Sequence, residues 1–271
     1  MIKKLYPDGK SKAFILSYDD GVTQDVRLVQ LINKCNLRAT FNLNSYLSET
    51  EFQWTHPTGN VIKRLPCNVL SELYRGHEVA SHTRSHPYMD NLKESQIMDE
   101  MAMDKEALEG ICKTKLFGFA VPFEYYSDLI KSCAEKCGFE YARTSEITGE
   151  FAPQNDYFEW KPTAFHLDEN LDMLIKEFII TQQELALFLL VGHSYDLDTE
   201  NMWDKTEDIF RLISSQNDIL SMTHLELVRY LKAMDTAIIT DKTITNPSDI
   251  PLWFDVDGDV ISVNPQKTFN L

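Results

Sequence analysis

The residues best suited to chemistry in this chain lie in two stretches, His82-Thr-Arg-Ser-His86 and, far upstream, Ser17-Tyr-Asp-Asp-Gly21. Each sits where an apolar, strand-like run ends: Phe14-Ile-Leu leads into Asp19 and Asp20, and Glu78-Val-Ala-Ser leads into His82. Two imidazoles four residues apart, with a carboxylate from another strand end, make a three-ligand set for a divalent cation. Hydrolytic zinc sites commonly use three such N/O ligands and leave a fourth position to water or substrate. The adjacent Asp19 is then a spare carboxylate, placed to take a proton from that water. The competing reading makes the histidines surface residues and Asp-Asp-Gly a solvated turn. It loses weight once the other motifs are set beside these two.

A third motif, Leu190-Val-Gly-His193, follows another apolar run. Asp19-Asp20-Gly21 after a strand, Gly76 to His86, and this Leu-x-x-His, in that order, resemble the polysaccharide deacetylases, the NodB-homology group of carbohydrate esterases. The resemblance runs from about Ala13 to about Leu231. It implies Asp19 as general base, Asp20, His82 and His86 as metal ligands, and His193 as general acid. The role suits an imidazole, whose ordinary pKa near ~6.5 allows both proton states near neutrality.

Two positions depart from the family pattern. Its members usually carry an Arg before a Pro-aromatic pair, tethering the base carboxylate, whereas here the stretch reads Phe119-Ala-Val-Pro-Phe123. Pro122 fixes the turn, and Phe123 offers a backbone N–H to an oxyanion without any side-chain requirement. Arg143, closing the Tyr-Ala-Arg run, is the candidate for the missing charge, with Arg84 as runner-up; a surface Arg143 is the plain alternative. The family's Asp-and-Trp motif that orients the late acid is unclear here. His166-Leu-Asp168 is the nearest polar group at a strand end, although His166 equally reads as a packing residue.

These residues need a scaffold that gathers strand ends. Strand-like runs at Phe14–Ser17, Ala39–Leu43, Glu78–Ser81, Phe117–Val121, Tyr141–Thr144, Thr163–His166 and Ala186–Val191 alternate with helical stripes. The helices are expected after Thr23 as cap, near Asn68–Tyr74, and over Glu94–Cys112, Tyr126–Cys137, Leu171–Ile179, Lys205–Ser214 and Leu225–Met234. About seven repeated β–α units predict an α/β protein built as a distorted (β/α) barrel of seven strands, as the resembling family also implies. Such barrels collect their chemistry at the C-terminal strand ends, where the motif residues fall. Residues 1–235 form this barrel. Residues 236–271 form a C-terminal extension in which Asp257-Gly258 turns a β-hairpin, docked on the barrel or offering an edge for self-association.

Composition narrows the partners. The chain has 271 residues, 43% hydrophobic and 25% charged, ordinary values for a globular protein. A net charge of −16 and a pI near 4.8 count against nucleic acid or an anionic membrane. No apolar run approaches the ~18 residues of a membrane span, and the N-terminus shows no secretory pattern. Five cysteines without a Cys-x-x-Cys predict neither a disulfide framework nor a structural zinc site. Together these predict a reduced, cytoplasmic protein, which counts against a polymeric wall substrate. The expected activity is metal-dependent removal of an acyl group, acetyl first, from an N- or O-acetylated sugar or oligosaccharide. Zinc is the first choice of metal, with cobalt, nickel, iron or manganese compatible with a His2Asp set. The alternatives are hydrolysis of a small non-sugar amide, and a carbohydrate-binding barrel that has lost turnover. Trp54, Tyr88, Tyr125, Tyr126, Trp160 and Trp203 are candidate sugar platforms, although aromatics are mostly core.

Overall fold

The seven apolar runs, with an eighth that was not expected, form eight parallel strands in the computed structural model, which describes residues 1–271: β1 (Lys12–Asp19), β2 (Ala39–Leu43), β3 (Glu78–Ser81), β4 (Gly118–Ala120), β5 (Tyr141–Arg143), β6 (Ala164–Phe165), β7 (Ala186–His193) and the unexpected β8 (Ile219–Met222). Seven of them pair in the order β5-β4-β3-β2-β1-β7-β6, and β8 pairs with β1. β7 runs along the whole of β1, while the other edge of β1 is shared. Lys12–Ile15 takes β8 and Leu16–Asp19 takes β2. The gap between β5 and β6 is spanned by irregular chain. Trp160 N–H donates to Ala142 O (3.0 Å), Trp160 O accepts from Thr144 N–H (2.8 Å), and Thr163 N–H donates to Leu189 O (2.9 Å). The result is the expected barrel in distorted form.

The two-residue period of a strand divides its side chains between two packed layers. Phe14, Leu16 and Tyr18 of β1 pack outward with Leu28, Ile32 and Phe210 of surrounding helices. Ala13 and Ile15 pack inward with Leu187, Leu189 and Val191 of β7 and with Tyr141 and Trp160. Asp19 continues the inward series at the end of β1, and His193 is its register partner at the end of β7. Both therefore rise from the floor of the barrel mouth.

The helix Glu94–Cys112 has its expected bounds and buries Ile97, Met101 and Leu108. The first helix differs from expectation at its start. It runs Asp25–Lys34 from Gln24, without a side-chain cap, because the Thr23 hydroxyl bonds the Gln24 side chain instead. No helix is long and apolar enough to cross a membrane.

After the last barrel helix, His224–Asp235, the chain is all β. Leu252–Val256 and Asp259–Val263 form the hairpin, with Asp257 at φ 52° and Gly258 at φ 99°, the left-handed pair that a tight two-residue turn requires. Ile2–Leu5 adds a third strand to it, which ties the N-terminal segment to the C-terminal extension. Leu252, Phe254 and Val263 bury against the same inward cluster that holds Tyr230 and Leu231. A second sheet pairs Thr243–Asn246 with Ile238–Ile239 and Lys267–Asn270.

One glycine spaces the inner layer at the start of β4 and β5. A Cβ on Gly118 would press into the Tyr141 phenol, which cannot swing away without giving up its 2.9 Å bond to Glu78. Gly118→Ala is therefore expected to lower the unfolding free energy by about 1–3 kcal/mol, measured by urea denaturation. An unchanged midpoint would show that the layer has room to give.

Candidate active site and metal centre

The ends of β1 and β3 bring Asp20, His82 and His86 together, with ligating atoms within 4.8 Å of one another. His82 is buried, and its Nδ1 donates to Ala120 O at the end of β4 (2.9 Å), which leaves Nε2 as a free lone pair. Metal-binding imidazoles are commonly oriented through the other ring nitrogen in this way. His86 lies with its ring centroid 4.8 Å from that of His82, and its Nε2 is 3.7 Å from Asp20 Oδ1. Asp20 Oδ1 is buried, sits 2.8 Å from Arg64 Nη1, and accepts no well-directed hydrogen bond. A buried carboxylate oxygen left that way, facing two free imidazole nitrogens, fits a divalent cation. Burial drives the His82 pKa down to about 4 and lowers that of His86, so both rings are neutral and ready to ligate near neutral pH.

Asp19 points into the same space. Arg143, buried at the end of β5, donates to its Oδ1, and Asn42 of β2 donates to the same oxygen (2.7 Å). Oδ2 is left without these bonds, 4.0 Å from His82 Nε2. Burial alone would raise the Asp19 pKa. The Arg143 charge and hydrogen bond, with the His193 charge, outweigh it and hold the carboxyl below its ordinary value. Asp20 is likewise held well below the carboxylate range, burial being outweighed by Arg64 and the nearby imidazoles. Arg84, the other candidate cation, stays outside this cluster, over the ring of Tyr46.

His193 ends the strand beside Asp19, partly exposed, with its ring stacked on Tyr195 (4.9 Å, 18°). Its Nδ1 donates to Asp196 Oδ2 (3.0 Å), and His166 Nε2 donates to the same oxygen (3.1 Å). Burial would lower the His193 pKa. The Asp196 bond and the charges of Asp20 and Asp19 reverse this and raise it. Asp196, with two imidazole donors, is held at about 2 against its own burial. Asp168 is elsewhere, accepting from Asn170 N–H in a local turn. Gly192 makes room for this arrangement: a Cβ there would meet the His166 ring at 2.5 Å.

Phe123 has φ 58°, its N–H makes no hydrogen bond within the chain, and its ring stacks on Tyr88 (3.8 Å, 7°) and edges His86 (4.5 Å). These groups line one cleft of about 830 Å³, with Tyr125 on its rim. Trp160 and Trp203, by contrast, are core.

Three residues escaped the sequence reading. Arg64 is a buried cation that closes a loop insertion, and nothing local marks it. Asn42 had a signal: Thr40 and Asn42 alternate with apolar residues on a strand buried on both faces, so both must find polar partners inside. Asp196 had no signal of its own, since its place depends on one turn of helix, Ser194–Thr199, folding it back on His193.

The polysaccharide deacetylase family model matches residues 7–142, half of the chain. That range contains both aspartates, both candidate ligand histidines and Phe123, and ends just before Arg143. A peptidoglycan-N-acetylglucosamine deacetylase of Bacillus cereus is 24% identical over 148 residues, which are 51% of this chain and 62% of that protein. The match thus spans less than two thirds of that relative. Among solved structures, one from Mycobacterium smegmatis assigned to polysaccharide deacetylases has a TM-score of 0.63 at 15% identity, over 88% of this chain and 96% of that one. A family 4 carbohydrate esterase from Streptomyces lividans, solved with acetate, has a TM-score of 0.51 at 16% identity, over 78% and 92%. A family 4 pseudoenzyme from Bacillus anthracis has a TM-score of 0.53 at 16% identity, over 83% and 68%. Fold, motif order and the match over half of the sequence agree, and the chain belongs to the polysaccharide deacetylase family.

Proposed function

We propose that the protein is a metal-dependent deacylase that removes an acetyl group from an N- or O-acetylated sugar or oligosaccharide. The observation that carries this reading is the pairing of two proton-handling groups with opposite shifts around one ligand set. Asp19 is held ionised, and His193, its register partner on the neighbouring strand, is held toward its protonated form, beside the set of Asp20, His82 and His86. A base and an acid whose environments push their proton affinities apart are what a two-step hydrolysis needs.

Asp20, His82 and His86 would hold the cation. When bound it polarises the acyl carbonyl and makes water a nucleophile near neutral pH; zinc is our first choice. Asp19 takes the proton of the attacking water on Oδ2, the oxygen that Arg143 and Asn42 leave free. The Phe123 N–H meets the negative charge that develops on the carbonyl oxygen. His193 then gives its proton to the departing amine or alkoxide, held in place by Asp196. Arg143 is a positioning residue that keeps Asp19 charged and aimed. The base, the acid and the ligands are all present together, which weighs against a binding protein that has lost turnover. The aromatic cleft favours a sugar over a small non-sugar amide. Acetate release from acetylated chitooligosaccharides or acetylxylan tests the proposal; none from either would sink it.

Purified protein is expected to carry about one divalent ion per chain, lost in the double variant His82→Ala/His86→Ala. Full metal content in that variant, read by elemental analysis, would move the site elsewhere. Arg143→Met should keep fold and metal yet slow turnover by about 10- to 1,000-fold. Because Arg143 lowers the Asp19 pKa, its loss raises that pKa, so the acid limb of the pH–rate profile should move to higher pH. A profile and rate equal to the parent's would exclude the tether. Asp196→Asn removes the bond that raises the His193 pKa, so the alkaline limb should move to lower pH while the acid limb stays. An unmoved alkaline limb would mean that Asp196 does not serve the acid.

A further inference from the structure

The cleft has one closed flank. The hairpin of Gln53–Thr55 and Val61–Lys63 is inserted between β2 and β3 and tied to the segment just after Asp20. Thr23 N–H donates to Lys63 O (2.9 Å), Leu65 N–H donates to Gly21 O (2.8 Å), and Val22 bridges Arg64. Trp54 of this hairpin meets Tyr195 edge to face at 5.5 Å, and Tyr195 in turn stacks on His193. The Arg64 guanidinium lies 5.2 Å from the Trp54 ring centroid and pairs with Asp20. Rings and guanidinium thus run unbroken from His193 round to Asp20, a wall along the β1–β2 flank. Tyr195 lines the cleft on this side, and the hairpin backs it through Trp54.

The other flank is open and aromatic. Tyr88 is 61% exposed and stacked on Phe123, and Tyr125 is 45% exposed beside them. Beyond these the cleft continues to Ser145 and Ile147, past the ends of β5. Stacked aromatic faces of this kind suit the apolar face of a sugar ring.

An internal residue of a glycan is bonded on both sides and needs two exits from the reacting position. The wall closes off the one on the Tyr195 side. We propose that the site accepts an acyl-bearing residue at the end of a short glycan, with the next sugars running over Tyr88, Phe123 and Tyr125, and that Trp54 and Tyr195 exclude internal residues. The inference rests on the deacylase reading above and adds a substrate class to it.

The test is positional. Acetylated chitooligosaccharides and acetylated xylooligosaccharides, labelled at one end, are partly digested by the metal-loaded protein, and the deacylated residues are located by fragment mass spectrometry. Terminal loss is expected to exceed loss at each internal residue by about 10-fold or more, the size of discrimination that a steric wall supplies. Trp54→Ala, with metal content unchanged, is expected to bring internal residues to within about threefold of terminal ones, a loss of most of that discrimination. Equal loss at all positions in the parent overturns the end-on proposal while leaving the deacylase reading intact. A terminal bias that Trp54→Ala leaves in full overturns the assignment of the wall. No acetate from any oligomer overturns the deacylase reading and this inference with it.

Discussion

Two adjacent carboxylates, Asp19 and Asp20, are buried side by side at the end of β1, and everything in the barrel mouth depends on keeping both ionised. Burial and mutual repulsion each favour protonating one of them. The chain answers with two buried cations from different directions, Arg143 from β5 beneath and Arg64 from the hairpin insertion beside. Each arginine takes one carboxylate, and this division of labour separates the proposed roles. Arg143 and Asn42 load one oxygen of Asp19 and free the other for a proton. Arg64 bonds the backbone oxygen of Asp20 and flanks its carboxylate, leaving Oδ1 without a directed donor on the side facing His86. A buried charge stripped of its partner is costly, by several kcal/mol in comparable sites. The hairpin is therefore part of the electrostatics of the centre as well as its wall.

The residues readable from sequence were those whose chemistry has few substitutes. A carboxylate pair and two imidazoles at the ends of apolar runs have a narrow set of uses, so Asp19, Asp20, His82, His86 and His193 stood out. The β–α alternation placed them on one rim because parallel strands end together. Arg143 could be named because the strand that it closes had to end on that rim. Arg64 and Asp196 could not, because their meaning is tertiary. Arg64 gains its role from a loop that folds back to Gly21, and Asp196 from a single helical turn. The cap at Thr23 failed for a related reason: its hydroxyl had another local acceptor, and tertiary ties from Lys63 fixed that backbone instead.

The side of the proposed acid shows how burial decides which of two rings carries charge. Asp196 accepts from His166 and His193 through one oxygen, so the hydrogen bond alone does not distinguish them. His166 is 3% exposed, packed against Tyr18 and the Gly192 backbone, and burial keeps its pKa low. His193 is wetter and faces the negative charges of Asp19 and Asp20 across the barrel mouth, which raise its pKa. The proton therefore belongs on the ring that reaches the cleft. His166 serves as a neutral second donor that fixes Asp196 without competing for the proton. The same two carboxylates that demand arginines thus help to charge His193, so a change at Arg143 or Arg64 is felt at His193 as well as at Asp19 and Asp20.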